Sequence, residues 1–273
     1  IGVSQSGETA DTLSALREMR KRGVPTLAIC NTRGSTMSRE VDATFYTSAG
    51  PEIGVAATKT FLAQLSVLFC MAGYLGLRRG RDTAGRIPAI FDQLIQFPHV
   101  LAQALQPDSE FVKQIRAVAS RLQDRSGYFF VGRGYSFPMS LEGALKLKEI
   151  AYIHAEGYAG GELKHGPIAM IDETMAVVVL APRDTWHEKT ISNLQEVRAR
   201  GAKIIGVGDA DDAKLKAQCH EWIPLPLPKG GIDESLYPFL IAPALQLLSY
   251  EIAVLKGTDI DQPKNLAKSV TVE

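Results

Sequence analysis

The sequence predicts an α/β protein with two domains, each a mainly parallel sheet flanked by helices on both faces, and three observations carry that reading. Short apolar runs rich in Val, Ile and Ala alternate with amphipathic helical stretches, the signature of parallel strands joined by helical crossovers. The strand–loop–helix–Arg-Gly–strand pattern occurs twice: Arg22-Gly-Val-Pro-Thr-Leu-Ala-Ile-Cys30 and Arg200-Gly-Ala-Lys-Ile-Ile-Gly-Val207 stand 178 residues apart (200 minus 22). The chain, at 273 residues with 45% hydrophobic and 22% charged positions, is long enough for two cores.

In order along the chain, Ile1–Ser4 reads as a strand and Thr9–Arg22 as a helix with Leu13, Ala15, Leu16 and Met19 on its apolar face; Gly23 ends it. Thr26–Cys30 is a buried strand and Asn31–Gly34 a turn. Ser35 caps a short helix, and Ala43–Tyr46 is a strand followed by a loop over Thr47–Gly54. A long helix over Ala56–Leu77 is apolar enough to be a buried core helix, and Arg78–Asp82 breaks it. Helical patterns at Arg86–Leu105 and Asp108–Gln123 link the halves. Tyr128–Val131 opens the second half as a strand, and a helix over Ser136–His154 follows Gly132-Arg-Gly134. Ala155–Gly166, rich in Gly and polar residues, reads as a loop. Ala176–Ala181, Lys203–Val207 and Glu221–Leu225 are strands, Trp186–Arg200 and Glu234–Leu255 helices, with Pro238 and Pro243 at the start of the last helix or kinking it. The tail from Gly257 has no period.

The second copy of the repeat has its own strand and helix, Tyr128–His154, ahead of it, whereas nothing precedes Ile1. The first domain is therefore expected to be truncated at its N-terminus. The expected division is 1–80 as the first domain, 81–118 as a helical linker, 119–257 as the second domain, and 258–273 as a tail.

Lys+Arg and Asp+Glu both number 30, giving zero formal net charge, so neither nucleic acid nor an anionic membrane is indicated. Three cysteines, Cys30, Cys70 and Cys219, lie far apart. Cys30 and Cys70 sit in apolar runs and read as buried thiols, pointing to a reducing, cytoplasmic setting. There is no signal peptide pattern. HxxxH and paired Cys/His spacings are missing, so no metal or other cofactor is expected.

Four stretches can carry chemistry. Ser4-Gln-Ser-Gly-Glu-Thr9 lies where a strand ends and a helix begins, the place where doubly wound sheets bind ligands. Ser4, Ser6 and Thr9 offer hydroxyls and Gly7 close backbone approach, which suits a phosphate monoester held by neutral donors, since the loop has no Lys or Arg and no P-loop pattern. A plain helix cap is the alternative. On the helix Leu141–Ile150, Glu142, Lys146 and Glu149 fall on one face at spacings of four and three, as a surface ion-pair ladder or as the wall of a pocket. His154 and His165 bracket the Gly-rich loop, and either is a structural residue or a proton shuttle. Lys268, in a tail that otherwise reads as solvated, is an amine able to form an imine if the tail folds over a pocket.

Ser4–Thr9, Pro51-Glu-Ile-Gly-Val-Ala-Ala-Thr-Lys59, Leu141–Ile150, Glu162-Leu-Lys-His-Gly-Pro167 and the terminal Asp261–Glu273 together resemble the isomerase region of the glucosamine-6-phosphate synthases, the glutamine–fructose-6-phosphate aminotransferases. The resemblance spans essentially the whole chain and implies a pair of SIS (sugar isomerase) domains. It implies that Ser4, Gln5, Ser6 and Thr9 hold the phosphate of fructose 6-phosphate, and that Val55 and Ala267 line the sugar through backbone groups. Lys268 would form a Schiff base with the C2 ketone, and Glu149 would move a proton between C1 and C2 with Lys146 beside it. His165, reaching in from a second subunit of a dimer or larger homo-oligomer, would help open the ring; Glu142 would orient the others. Ala57 stands where family members often carry Ser, so the resemblance implies that a hydroxyl contact to the sugar would be lost there while a backbone contact would survive. Ammonia would come from a glutaminase domain that this chain does not contain. The other readings are a non-catalytic SIS sugar-phosphate sensor and a stand-alone SIS isomerase or deglycase.

Overall fold

The computed structural model describes residues 1–82 and 85–268. The chain separates into two compact units, residues 1–87 with 261–273, and residues 88–260.

The first unit is built on three parallel strands in the order β1 (Gly2–Ser4), β2 (Leu27–Cys30), β3 (Ala43–Tyr46). Between them run α1 (Ala10–Lys21) and the short α2 (Thr36–Glu40). Their apolar positions meet the sheet in a small core of Leu13, Leu16, Ala28 and Met37, against which Val41 packs. Ser35 caps α2 as its sequence predicts, its hydroxyl accepting from the Ser38 amide. The helix α3 (Lys59–Arg78) follows.

The sequence reads α3 as a buried core helix, and the structure corrects this. Thr60 is its one buried residue, while Leu68, Tyr74, Leu75 and Leu77 are exposed. Cys70, expected to be buried, is exposed with them. The physical reason lies in the size of the unit: three strands of three or four residues offer little apolar surface, and among them α3 makes its main contact with β2.

The second unit starts with α4 (Arg86–Leu94), most of which belongs to it, then α5 (Phe97–Ala104) and α6 (Glu110–Leu122). The single helix expected over 86–105 is thus two, separated at Ile95-Gln96, with Pro98 inside the first turn of α5, where its missing N–H costs nothing. Five parallel strands follow: β4 (Gly127–Gly132), β5 (Ala155–Ala159), β6 (Met175–Leu180), β7 (Lys203–Asp209) and β8 (Glu221–Leu225). They are ordered β5-β4-β6-β7-β8. The intervening helices are α7 (Ser136–Ala151), α8 (His187–Arg198), the four-residue α9 (Ala213–Lys216) and α10 (Pro238–Leu255).

Both faces of this sheet are covered, as a buried parallel sheet requires. Phe129, Val131, Val177, Val179 and Ile204 pack with Ile191, Leu194 and Val197 of α8 on one side. On the other, α7 lies against β4 and β5, and α10 packs on α7 and α6. The strand β5 replaces part of the loop expected over 155–166. It pairs in register with β4, Phe129 opposite Glu156. Its glycine reads as a loop signal in the sequence, yet the structure uses it for contact: a Cβ on Gly157 would lie 2.7 Å from the backbone of Ser140 and Leu141 on α7.

Candidate active site

In the first unit the loop Ser4–Thr9 leaves β1 and enters α1. Its hydroxyls are organised within the loop and not spent on capping: Thr9 occupies the cap position of α1 without a side-chain cap bond. The Gly7 amide donates to Ser4 Oγ at 2.9 Å, the Glu8 amide to Ser6 Oγ at 3.2 Å, and Ser4 Oγ meets Thr9 Oγ1 at 3.3 Å. Gly7 has φ +71°, and a Cβ there would fall 2.2 Å from Ser35 Oγ, so both conformation and space demand glycine. Glu8 does not crowd the loop with negative charge: its carboxylate accepts from the Thr36 amide at 2.8 Å, which holds it below the usual carboxylate range.

A cavity of about 580 Å³ opens beside this loop, lined among others by Gln5, Ser6, Asn31, Arg33, Glu52 and Lys268. Of the predicted phosphate ligands, Gln5 and Ser6 line it, while Ser4, which is buried, and Thr9, in contact with it, do not. The tail lysine does reach this cavity, in the same unit as the loop. Lys268 Nζ donates to the Gly54 carbonyl at 2.5 Å and to Glu52 Oε2 at 3.2 Å. The tail is further fastened where the Val55 amide donates to the Asp261 carbonyl at 2.9 Å. Val55 and Ala57 are half-buried on that segment, and Ala267 is exposed next to Lys268.

Among the residues of this cavity that sequence reasoning missed, Asn31, Arg33 and Glu52 bear most on its chemistry. Asn31 ties its walls together, its amide N–H donating to Gln5 O while its side chain accepts from Thr47 Oγ1 and the Ala49 amide and donates to Gly50 O. Arg33 adds the cation that the Ser4–Thr9 loop lacks; its guanidinium lies 4.6 Å from the centre of the Tyr46 ring. Glu52 is the third. Of these, Glu52 had a visible signal, an acid shortly before a long helix; nothing local marked Asn31 or Arg33.

In the second unit, α7 carries the acid–base stripe inward. Lys146 is 3% exposed and Glu142 7%, and Glu149 is the more open member with 22% of its side chain exposed. The residues left outside on this helix include Leu141 and Leu145. The surface ladder is excluded, because a ladder of solvated charges would place leucines in and charges out. Lys146 Nζ donates to Glu149 Oε2 and stands 4.0 Å from Glu142 Oε1, and Gln246 of α10 donates to that same oxygen at 3.0 Å. Burial pushes the Glu142 carboxyl up, outweighing the opposing pull of Lys146 and Gln246. An ammonium between two carboxylates, one sealed by Gln246 and one facing outward, is an arrangement suited to proton transfer at the open end. Gln246 escaped sequence reasoning because it lies 104 residues away on another helix. His165 sits exposed on a short 3₁₀ turn, Leu163–His165, and among the described residues its side chain makes no hydrogen bond to the stripe.

In a parallel α/β architecture, a hydroxyl-rich loop at a strand's carboxyl end lies where such sheets bind ligands. The chain belongs to the SIS domain family, whose model matches residues 1–72 and 121–256. Its similar relatives include glutamine–fructose-6-phosphate aminotransferases. It is 51% identical over 272 residues to the glutamine–fructose-6-phosphate aminotransferase (isomerizing) of Agrobacterium fabrum, covering 99% of this chain and 44% of that protein. It is 49% identical over 273 residues to the enzyme of the same name from Methanothermobacter thermautotrophicus, covering 100% of this chain and 43% of that one. Among solved structures, the C-terminal domain of glucosamine-fructose-6-phosphate aminotransferase from Francisella tularensis superposes with a TM-score of 0.85 at 40% identity, covering 96% of this chain and 72% of that one. A glucosamine-6-phosphate deaminase from Thermotoga maritima shares the fold, with TM-score 0.73 at 23% identity over 98% of this chain and 74% of that one. The chain thus corresponds to the isomerase region of the aminotransferase, and it spans less than half the length of the curated relatives it matches.

Proposed function

We propose that this chain is the isomerase and amination part of an enzyme that converts fructose 6-phosphate to glucosamine 6-phosphate in amino-sugar biosynthesis, with ammonia delivered by a glutaminase domain elsewhere in the polypeptide. The observation that carries the proposal is the entry of the tail amine of Lys268 into the cavity lined by Gln5 and Ser6. A phosphate held at that loop brings the rest of a short sugar within reach of an amine, and an amine next to a ketone forms an imine, a better electron sink than the ketone itself. Ser4, Gln5, Ser6 and Thr9 take the phosphate. Val55, Ala57 and Ala267 border the sugar through their backbone.

Glu149 moves the proton between C1 and C2, Lys146 steadies the charge that develops, and Glu142 orients Lys146. His165 assists ring opening from a second subunit, so the working form is a homodimer or larger, in the cytoplasm. The two units are two SIS domains related by an internal repeat: β1-α1-β2-α2-β3-α3 and β6-α8-β7-α9-β8-α10 follow one element order.

The test is Glu149→Gln in the full natural polypeptide containing this chain. We expect conversion of fructose 6-phosphate to glucose 6-phosphate to fall by roughly a hundredfold or more, with the substrate concentration for half-saturation little changed. Activity near the wild-type level removes Glu149 from the role of base.

A further inference from the structure

We propose that Glu52 is the counter-ion and proton acceptor of Lys268 during imine formation. The proposal rests on the imine reading above and extends it to a residue on another segment of the chain.

Glu52 lies in the loop between β3 and α3, and its side chain is only 5% exposed. Its two oxygens have separate tasks. Oε1 accepts from the Thr58 amide at 2.9 Å and the Thr60 amide at 3.3 Å, satisfying free N–H groups at the start of α3. Oε2 accepts from Thr60 Oγ1 and from Lys268 Nζ. A carboxylate that only capped α3 would not need its second oxygen on an amine from the far end of the sequence, 216 residues away. The other atom touching Lys268 Nζ is the Gly54 carbonyl oxygen, which can accept a hydrogen bond but cannot take a proton in water. Among the described residues, Glu52 is the Brønsted base in contact with the amine.

Imine formation needs such a base. The ammonium of Lys268 gives one proton to Glu52, and the neutral amine attacks the C2 carbonyl. The N–C2 bond forms and the carbonyl electrons move to oxygen, which then receives a proton from the nitrogen to give a carbinolamine. The protonated Glu52 returns its proton to that hydroxyl, the C2–O bond breaks and water leaves. The iminium remains with the carboxylate as its counter-ion, and no proton is gained or lost overall. Burial alone pushes the Glu52 carboxyl up, but the donors from Thr60, Thr58 and Lys268 outweigh it and hold it below the usual range. That favours the ion pair at rest and at the iminium stage, and makes the protonated form transient. The other charges around the pair are Lys59 beside Gly50, Asp261 beside Gly54, and Arg33 on the cavity wall.

The experiment traps the imine with borohydride in the presence of fructose 6-phosphate, using the full natural polypeptide, and locates the label by peptide mass spectrometry. The wild type is expected to be labelled at Lys268. Glu52→Gln, which keeps acceptors for Thr58 and Thr60 but loses the charge, is expected to be labelled about a hundredfold more slowly, at an unchanged half-saturating concentration of fructose 6-phosphate. Its labelling rate should climb with pH as bulk base takes over, where the wild type levels off. In Glu52→Ala, added formate should restore labelling in proportion to its concentration, which a role limited to supporting α3 would not produce. Wild-type labelling at Lys268 with an equal rate in Glu52→Gln, or no rescue by formate in Glu52→Ala, overturns the role of Glu52 and leaves the imine standing. Failure of the wild type to be labelled at Lys268 overturns both.

Discussion

The helices α3 and α10 make nearly the same demand in sequence and meet opposite fates. Each closes its unit's run of strands, and the stretches Lys59–Arg78 and Glu234–Leu255 share a mean hydropathy of 1.6, both long and apolar enough to cross a bilayer by length and composition alone. Yet 78% of the apolar window is buried in the second and 6% in the first. The difference lies in the surroundings. α10 packs on both α7 and α6, beside a sheet of five strands; α3 touches β2 in a sheet of three. Hydropathy states how much cover a helix calls for, and its neighbours decide whether it gets it.

Substitutions at matched leucines test that contrast most severely. Leu245 of α10 is fully buried and Leu75 of α3 is 47% exposed. Leu245→Asp should cost about 4 kcal/mol or more by placing a charge in a dry core, and Leu75→Asp less than about 0.5 kcal/mol in this chain. Urea unfolding followed by circular dichroism measures both; equal losses would mean that α3 is covered after all. Next in size is Gly157→Ala, where the added carbon meets rigid backbone of α7 and should cost about 1–3 kcal/mol. A neutral result would show that the contact between β5 and α7 is looser than its geometry.

The smallest effects divide the units by pH. Glu142, in the second unit, has its carboxyl raised by burial. Its folded state binds a proton more tightly than the unfolded chain, so it favours folding at low pH. That contribution is lost as pH rises from the ordinary carboxylate range through the raised value. Glu52, in the first unit, is lowered, so its contribution is present above the ordinary range and is lost as pH falls through the depressed value. Glu142→Gln should therefore flatten the loss of stability on the alkaline side, and Glu52→Gln the loss on the acid side. Denaturant midpoints across pH would show this, and the same sign for both variants would refute it.

Much of the candidate site was legible because it is local. Gln5 and Ser6 share one loop, and Glu142, Lys146 and Glu149 share one helix, where a period of 3.6 dictates that they align. Glu52, Asn31, Arg33 and Gln246 were not, since each owes its place to a partner distant in sequence. The strand β5 was hidden for a similar reason: Gly157 looks like a turn residue until the backbone of α7 is laid against it.

The sequence by itself determined the alternation of strands and helices, the loop where β1 meets α1, and the shared face of the α7 stripe. Each follows from backbone preference and side-chain period, which act over a few residues. The tertiary structure decided that the stripe faces inward while Leu141 and Leu145 face out, that α10 is buried and α3 is not, and that Lys268 ends against Glu52. Those outcomes depend on which surfaces meet, and close packing of distant segments is a property of the folded chain that no local window contains.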